Sequence, residues 1–369
     1  MRVALDVTPL VGPGTGVATF VRGLAGALGR RGEVELSAYG LTWRGRAALA
    51  AAVPPGLPLA RRPMPARPLS QAWARAGWPP AEWWTGPVEV VHGTNFVVPA
   101  TRGAAAVVTV HDLTAVRFPH LCTPASRRYP ELIRAAVGRG AWVHTPSRFV
   151  ADEVVDLLGV PPERVHAVLS GIDPAGPAGD AGRGWALAGS TRFVLALGTV
   201  EPRKGLVDLV RAFDRLAAGR PELALVVAGP DGWATDAFTA ATALARHGGR
   251  IRRLGWVDAG ARADLLAGAT VVAVPSVYEG FGFPALEAMA AGTAVVATAA
   301  GSLPEVVGPA GRLVPVGDVD ALASALAEVV DDPALRAEMG RAGPAHAGRF
   351  RWDDCASGLL RLYREAAGT

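Results

Sequence analysis

Apolar residues along the chain gather in short runs separated by longer amphipathic stretches, the pattern of strands alternating with helices. The first run, Arg2 to Val7, leads into a Gly- and Pro-rich loop from Thr8 to Gly16, then a helical pattern over Val17 to Leu28 that stops before Gly32. Further strands are predicted at Val34 to Ala38, Val88 to His92, Ala105 to Val110, Trp142 to Thr145 and Val165 to Leu169, with helices over Ser126 to Val137 and Phe149 to Leu158. The second half predicts strands at Phe193 to Leu197, Ala224 to Ala228, Ile251 to Leu254, Val271 to Pro275, Ala294 to Ala297 and Arg312 to Val314. Its helices read at Gly205 to Ala218, Ala234 to Arg246, Ala261 to Leu266, Pro284 to Ala291 and Asp320 to Val330. Such alternation implies parallel sheets covered on both faces.

Between the halves, Asp173 to Ser190 is rich in Gly, Ala and Pro and loses its periodicity, as an interdomain linker does. The fold class is therefore α/β, with two Rossmann-like doubly wound parallel-sheet domains, 1–172 and 190–350, whose strand carboxyl ends face a cleft. Residues 41–87 resist the pattern: five tryptophans stand among prolines and arginines. They form either an excursion touching an acceptor or a membrane, or a long loop whose tryptophans plug the first core.

Composition narrows the class. Of 369 residues 50% are hydrophobic and 19% charged, so the chain is globular rather than disordered. Cys122 and Cys355 are too few and too far apart for a disulfide framework or a CxxC site. The opening MRVALDVTPL shows no basic region followed by a long apolar run, and no stretch approaches the ~18 apolar residues of a spanning helix, so neither a signal peptide nor a membrane span is expected. A cytoplasmic protein is expected. The net charge of +4 is uneven, +6 up to Arg183 and −2 beyond it. Scattered arginine of this kind does not make a nucleic-acid groove, and an anionic substrate or membrane surface suits it better. Of 37 basic residues only Lys204 is lysine, which suggests a site needing a compact ammonium, although chance retention on a surface helix explains it equally.

Candidate chemistry collects at predicted strand ends. Glu279 to Glu287, EGFGFPALE, follows a buried strand, and Pro284 suits the first turn of a helix whose amide end favours phosphate. Glu287, one turn in, is placed to accept both hydroxyls of a ribose, and Glu279 to accept from a sugar hydroxyl. Gly280 and Gly282 leave room for close approach. Arg203 and Lys204 in GTVEPRKG can neutralise a diphosphate leaving group. His111 ends a strand of the first half, where it can hydrogen-bond a sugar or acceptor hydroxyl. Gly14-Thr15-Gly16 opens a helix without completing GxGxxG, and no acidic residue closes the second strand, so nicotinamide is not expected. HExxH, GxSxG and P-loop motifs are absent, Asp318-Val319-Asp320 reads as a helix cap, and no metal or cofactor is expected.

Together GTVEPRKG, VPSVYEGFGFPALEAMAAG with its Glu-x7-Glu spacing, TVHDLTAVRFP and LVGPGTGVATFVRGL resemble the GT4-like retaining glycosyltransferases of GT-B fold, over nearly the whole chain. Ser170 in VLSGID departs from the asparagine many members carry. The resemblance implies acceptor binding by domain 1–172 and nucleotide-sugar binding by 190–350, with the terminal helix 351–367 returning to the first domain. It implies that Glu287 holds the donor ribose and Glu279 the transferred sugar. Arg203 and Lys204 would hold the diphosphate, assisted by the amides of Phe283, Pro284, Ala285 and Leu286. Gly16 would lie near the phosphate, His111 near the reacting sugar, and backbone at Val257 near the base. The expected activity is metal-independent, retaining transfer of a hexose from a nucleoside diphosphate sugar. GDP-mannose leads as donor, and UDP- or dTDP-hexoses stay open. The acceptor is a sugar, a lipid-linked saccharide or a small metabolite. Peripheral contact with the membrane inner face through the basic N-terminal domain is compatible with this activity, and two alternatives stay open: an epimerase or hydrolase of nucleotide sugars, and a non-catalytic membrane-surface binding protein.

Overall fold

The computed structural model describes residues 1–12, 14–173 and 178–368; Pro13, the linker residues 174–177 and Thr369 lie outside the described residues. The strands are β1 (Arg2–Asp6), β2 (Glu35–Tyr39), β3 (Val90–Gly93), β4 (Ala105–Thr109), β5 (Trp142–Thr145), β6 (Val165–Ala167), β7 (Arg192–Leu197), β8 (Leu223–Ala228), β9 (Ile251–Gly255), β10 (Val271–Val274), β11 (Val295–Thr298) and β12 (Arg312–Val314). The first helices are α1 (Gly16–Gly29), α2 (Arg46–Ala52), α3 (Ala66–Ala76), α4 (Glu82–Thr85), α5 (Thr114–Arg117), α6 (Tyr129–Gly138) and α7 (Arg148–Leu158). They are followed by α8 (Ala181–Ala188), α9 (Leu206–Leu216), α10 (Thr235–Leu244), α11 (Ala259–Gly268) and α12 (Phe283–Ala290). The last four are α13 (Leu303–Val307), α14 (Val319–Asp331), α15 (Pro333–Ala347) and α16 (Trp352–Ala367).

Two compact units result, Met1–Gly171 with Phe350–Thr369, and Ile172–Arg349. Each holds a six-stranded parallel sheet, ordered β2-β1-β3-β4-β5-β6 in the first and β12-β11-β10-β7-β8-β9 in the second. In the first sheet the order reverses direction at β1/β3, in the second at β7/β10; such reversals open a crevice at the strand carboxyl ends. The second core packs β7 and β8, buried almost throughout, against the apolar faces of α9 and α14. Asp318 caps α14 by accepting from the Ala321 amide, as the sequence suggests.

Two stretches carry more structure than their composition shows. Part of the expected linker is helix α8, whose Asp180 cap accepts from the Arg183 amide. Glycine lets α8 lie flush on α11: a Cβ on Gly184 would stand 2.1 Å from the Asp264 carbonyl oxygen. Arg183 pairs with Asp264 there, and the Trp185 indole donates to the Gly268 carbonyl. Residues 41–87 hold α2, α3 and α4, and their tryptophans divide. Trp73 is a core plug that donates to the Pro79 carbonyl at 2.7 Å, whereas Trp43, Trp78 and Trp83 are exposed.

Within the first unit α16 packs on α1, and Tyr363 joins a buried hydrogen-bonded chain. Its direction follows from its last acceptor. His144 Nε2 must donate to the Val168 carbonyl, so its Nδ1 accepts from the Thr109 hydroxyl. Thr109, having given its one proton, accepts from His92 Nε2, and His92 Nδ1 accepts from the Tyr363 hydroxyl. Every ring in the chain is neutral. Burial drives His92 well below its ordinary value and His144 down to about 3. The unfolded chain takes up these protons near pH 6.5. Stability should therefore fall as the pH drops below that value, by up to ~1.4 kcal/mol per unit for each histidine. Asp6, which burial raises to about 6, opposes one such term because it keeps its proton longer when folded. Denaturant titrations between pH 7.5 and 5 should show the net loss, and His144→Gln should flatten it; a level wild-type profile would contradict the neutral chain.

Candidate active site

The β7/β10 reversal sets the site of the second unit. Past Leu197 the chain makes a single turn at Pro202–Lys204 and leaves it through Gly205 at φ +64°. A Cβ on Gly205 would stand 1.9 Å from the Pro275 carbonyl oxygen, so only glycine lets this turn close on the end of β10. The Val277 amide then donates to the Arg203 carbonyl at 2.8 Å, fixing the two loops together. The β10 loop runs on to Gly282, which precedes α12 at φ +106°.

This clasp brings Arg203, Lys204 and Glu279 together. Lys204 Nζ donates to Glu279 Oε1 at 2.5 Å, Ser276 Oγ to the same oxygen at 2.7 Å, and Arg203 Nη1 to Oε2 at 3.0 Å. Arg203 Nε also reaches Glu201 Oε2 at 3.1 Å. Glu279 is only 4% exposed. Burial by itself would raise its carboxyl, but the charges of Lys204 and Arg203 and the hydrogen bonds they and Ser276 make outweigh that and hold it at about 2. Burial, then the Arg203 charge, pulls Lys204 below its ordinary value against the attraction of Glu279. Glu201, Arg203, Lys204 and Glu279 thus form a closed charge set of zero net sign. A small pocket opens onto it, lined among others by Gly198, Lys204, Ser276, Glu279 and Pro284.

Glu287 lies one turn into α12 and is met by Arg262 of α11, whose Nε donates to Oε2 at 2.6 Å with Nη2 on the same oxygen. Of the four α12 residues expected to assist with their amides, Pro284 has no N–H, and the Ala285 and Leu286 amides donate to the Gly282 carbonyl at 3.1 and 3.3 Å. Phe283 opens the helix, and Val257 lies in the loop after β9.

In the first unit His111 follows β4 and Gly16 is the first residue of α1, whose cap Thr15 accepts from the Ala18 amide. His111 Nε2 donates to the Thr94 carbonyl at 2.7 Å, which leaves Nδ1 as an acceptor on a ring that burial keeps neutral. Phe20 and Phe96 lie nearly perpendicular to it, with centroids 5.3 and 5.7 Å away. Phe96 is the one non-glycine described residue at positive φ, +60°. Arg262 and Phe96 carry no local signal in sequence, and Ser276 stands in a quoted motif with no role given to it, because each matters only through a partner that folding supplies.

Two family models cover most of the chain, Glycosyltransferase Family 4 over residues 14–175 and Glycosyl transferases group 1 over residues 183–346. The chain belongs to the family 4 glycosyltransferases. It is 32% identical to the O-antigen chain mannosyltransferase B of Escherichia coli, over 80% of this chain and 77% of the relative. It is 33% identical to a D-inositol 3-phosphate glycosyltransferase of Kribbella flavida, over 78% of this chain and 70% of that one. The Anabaena protein HepE, solved with UDP and glucose, shares the fold at a TM-score of 0.75 and 17% identity, with 99% of this chain and 100% of that one covered. This glycosyltransferase should lose ~3 kcal/mol of stability on Lys204→Ala, because the buried Glu279 carboxylate forfeits its closest counter-charge. A denaturant midpoint within error of wild type would contradict the buried pair.

Proposed function

We propose that this glycosyltransferase moves a hexose from a nucleoside diphosphate sugar to an acceptor hydroxyl with retention at the anomeric carbon, without metal or cofactor. The donor is GDP-mannose. The observation that carries the reading is the Lys204–Glu279–Arg203 cluster clasped at the β7/β10 reversal beside the N-terminus of α12. The name of the Escherichia coli relative favours mannose, and HepE with its UDP and glucose favours a nucleotide-sugar donor.

In this reading the second unit binds the donor and the first binds the acceptor. As the bond from the anomeric carbon to the phosphate oxygen breaks, its electron pair stays on the diphosphate. The ammonium of Lys204, the guanidinium of Arg203 and the positive end of α12 stabilise that growing charge in a partly desolvated site. Glu279, kept ionised, accepts from hydroxyls of the transferred sugar, and Glu287 accepts from the ribose. His111 Nδ1 accepts a hydrogen bond from a hydroxyl of the sugar or acceptor. The acceptor oxygen attacks the face the diphosphate leaves, and its proton passes to a phosphate oxygen.

Incubation with GDP-mannose, UDP-glucose and dTDP-glucose and a panel of saccharide, lipid-linked and small-metabolite acceptors should give GDP-mannose as the preferred donor, transfer unchanged by EDTA, and an α-linked mannosyl product. Lys204→Ala and Glu287→Ala should each lower transfer by ~10²-fold or more. Near-normal transfer in both would overturn the site. Free or epimerised sugar as the main product would favour a hydrolase or epimerase instead.

A peripheral membrane contact is a second element of the proposal. Trp78 and Trp83 meet edge to face at 4.8 Å while staying 57% and 50% exposed, with Arg61, Arg62 and Arg75 exposed on the same stretch of chain. Aromatic rings with cations suit an anionic lipid surface. Vesicles of phosphatidylglycerol should sediment the protein and those of phosphatidylcholine should not, and Trp78→Ala with Trp83→Ala should abolish the difference.

A further inference from the structure

Arg262 lies outside the motifs of the sequence and outside the Lys204 cluster, yet its guanidinium is committed to one acceptor. Its Nε donates to Glu287 Oε2 at 2.6 Å and its Nη2 to the same atom. A guanidinium pairing with a carboxylate for attraction alone commonly spreads its two N–H groups over both oxygens. Here both converge on Oε2, and no described residue donates to Oε1. The two side chains are 32% and 19% exposed, so the free oxygen belongs to a half-buried group held at one end.

The support for Arg262 is itself built. Asp258 caps α11, its carboxylate accepting from the Ala261 amide at 2.8 Å and its carbonyl from the Arg262 amide at 2.9 Å. Asp258 directly follows Val257, so one capped turn joins the loop after β9 to the guanidinium that grips Glu287. A free glutamate would sample several rotamers and lose them on binding a ligand, a penalty that prior fixation removes.

We infer that Arg262 is a positioning residue: by holding Oε2 it aims Oε1 of Glu287 at the ribose hydroxyls of the nucleotide, and so sets how strongly the protein distinguishes a ribonucleotide from one lacking those hydroxyls. This rests on the reading of Glu287 as the ribose acceptor. A merely structural tie between α11 and α12 would affect all nucleotides alike.

Calorimetric titration of the full chain with GDP, UDP and their 2′,3′-dideoxy counterparts separates the cases. Wild type should bind the preferred ribonucleotide about tenfold or more tightly over its dideoxy form, the effect of one or two hydrogen bonds to a charged group. Glu287→Gln should reduce that ratio to about threefold or less. Arg262→Met should do the same while leaving dideoxynucleotide affinity within about threefold of wild type, and Arg262→Lys should fall between. A wild-type ratio in Arg262→Met alongside its loss in Glu287→Gln overturns the positioning role and leaves the ribose reading standing. Equal weakening of both nucleotide forms in Arg262→Met and Arg262→Lys also overturns it, assigning the arginine to phosphate, base or packing. A wild type that ignores the hydroxyls, or binds neither nucleotide, overturns the ribose reading and this inference with it.

Discussion

The second unit is organised around a buried carboxylate that cannot stand alone. Glu279 leaves water at the end of β10, where an isolated charge would cost several kcal/mol. Lys204 and Arg203 from the β7 loop, with Ser276 beside them, make its ionised state the favoured one. The requirement runs backward into the backbone. Gly205 permits the loop approach, the Val277 amide seals it, and the sheet order that sets β7 beside β10 brings the two loops within reach. Strand order, turn chemistry and charge pairing thus answer to one desolvated group.

The first unit solves a comparable problem without net charge. His92, Thr109, His144 and Tyr363 occupy its interior as polar side chains, and they remain satisfied because each donates once in a single direction ending at a backbone carbonyl. Tyr363 brings α16 into that order, so a helix at the far end of the sequence is tied to β3 by a polar contact as well as by apolar packing. His111, just past β4, is less deeply buried, yet desolvation still lowers it, with Phe20 and Phe96 near its ring.

Much of this was legible in the residue pattern. All twelve strands fall at the predicted places; the central ones, such as β7, β8 and β10, are buried apolar runs that report burial directly, whereas the edge strands β6 and β9 hold no fully buried residue. Arg203, Lys204 and Glu279 stand out in short motifs just past strand ends, and Glu287 one turn into the helix that follows. Helix α8 was hidden by glycines that weaken helix propensity yet serve packing on α11, a tertiary gain no window can see. The short helices of residues 41–87 lack sustained periodicity, and α2 and α3 begin without a side-chain cap. Arg262 is silent, and Ser276 roleless inside its motif, for another reason: a single arginine or serine acquires meaning only from the carboxylate that folding sets against it.

The distribution of amines gives the cluster a last property. Thirty-six of the 37 cationic side chains are guanidinium groups, and the one primary amine among them is sunk against Glu279 with only 14% of its side chain accessible. A protonated guanidinium resists simple acylation at neutral pH, so a reagent that acylates amines meets one side-chain amine in the whole sequence. That target is paired with Glu279 and shielded at the heart of the cluster, so reagents specific for the lysine ε-amine find no other side chain of their kind on the protein.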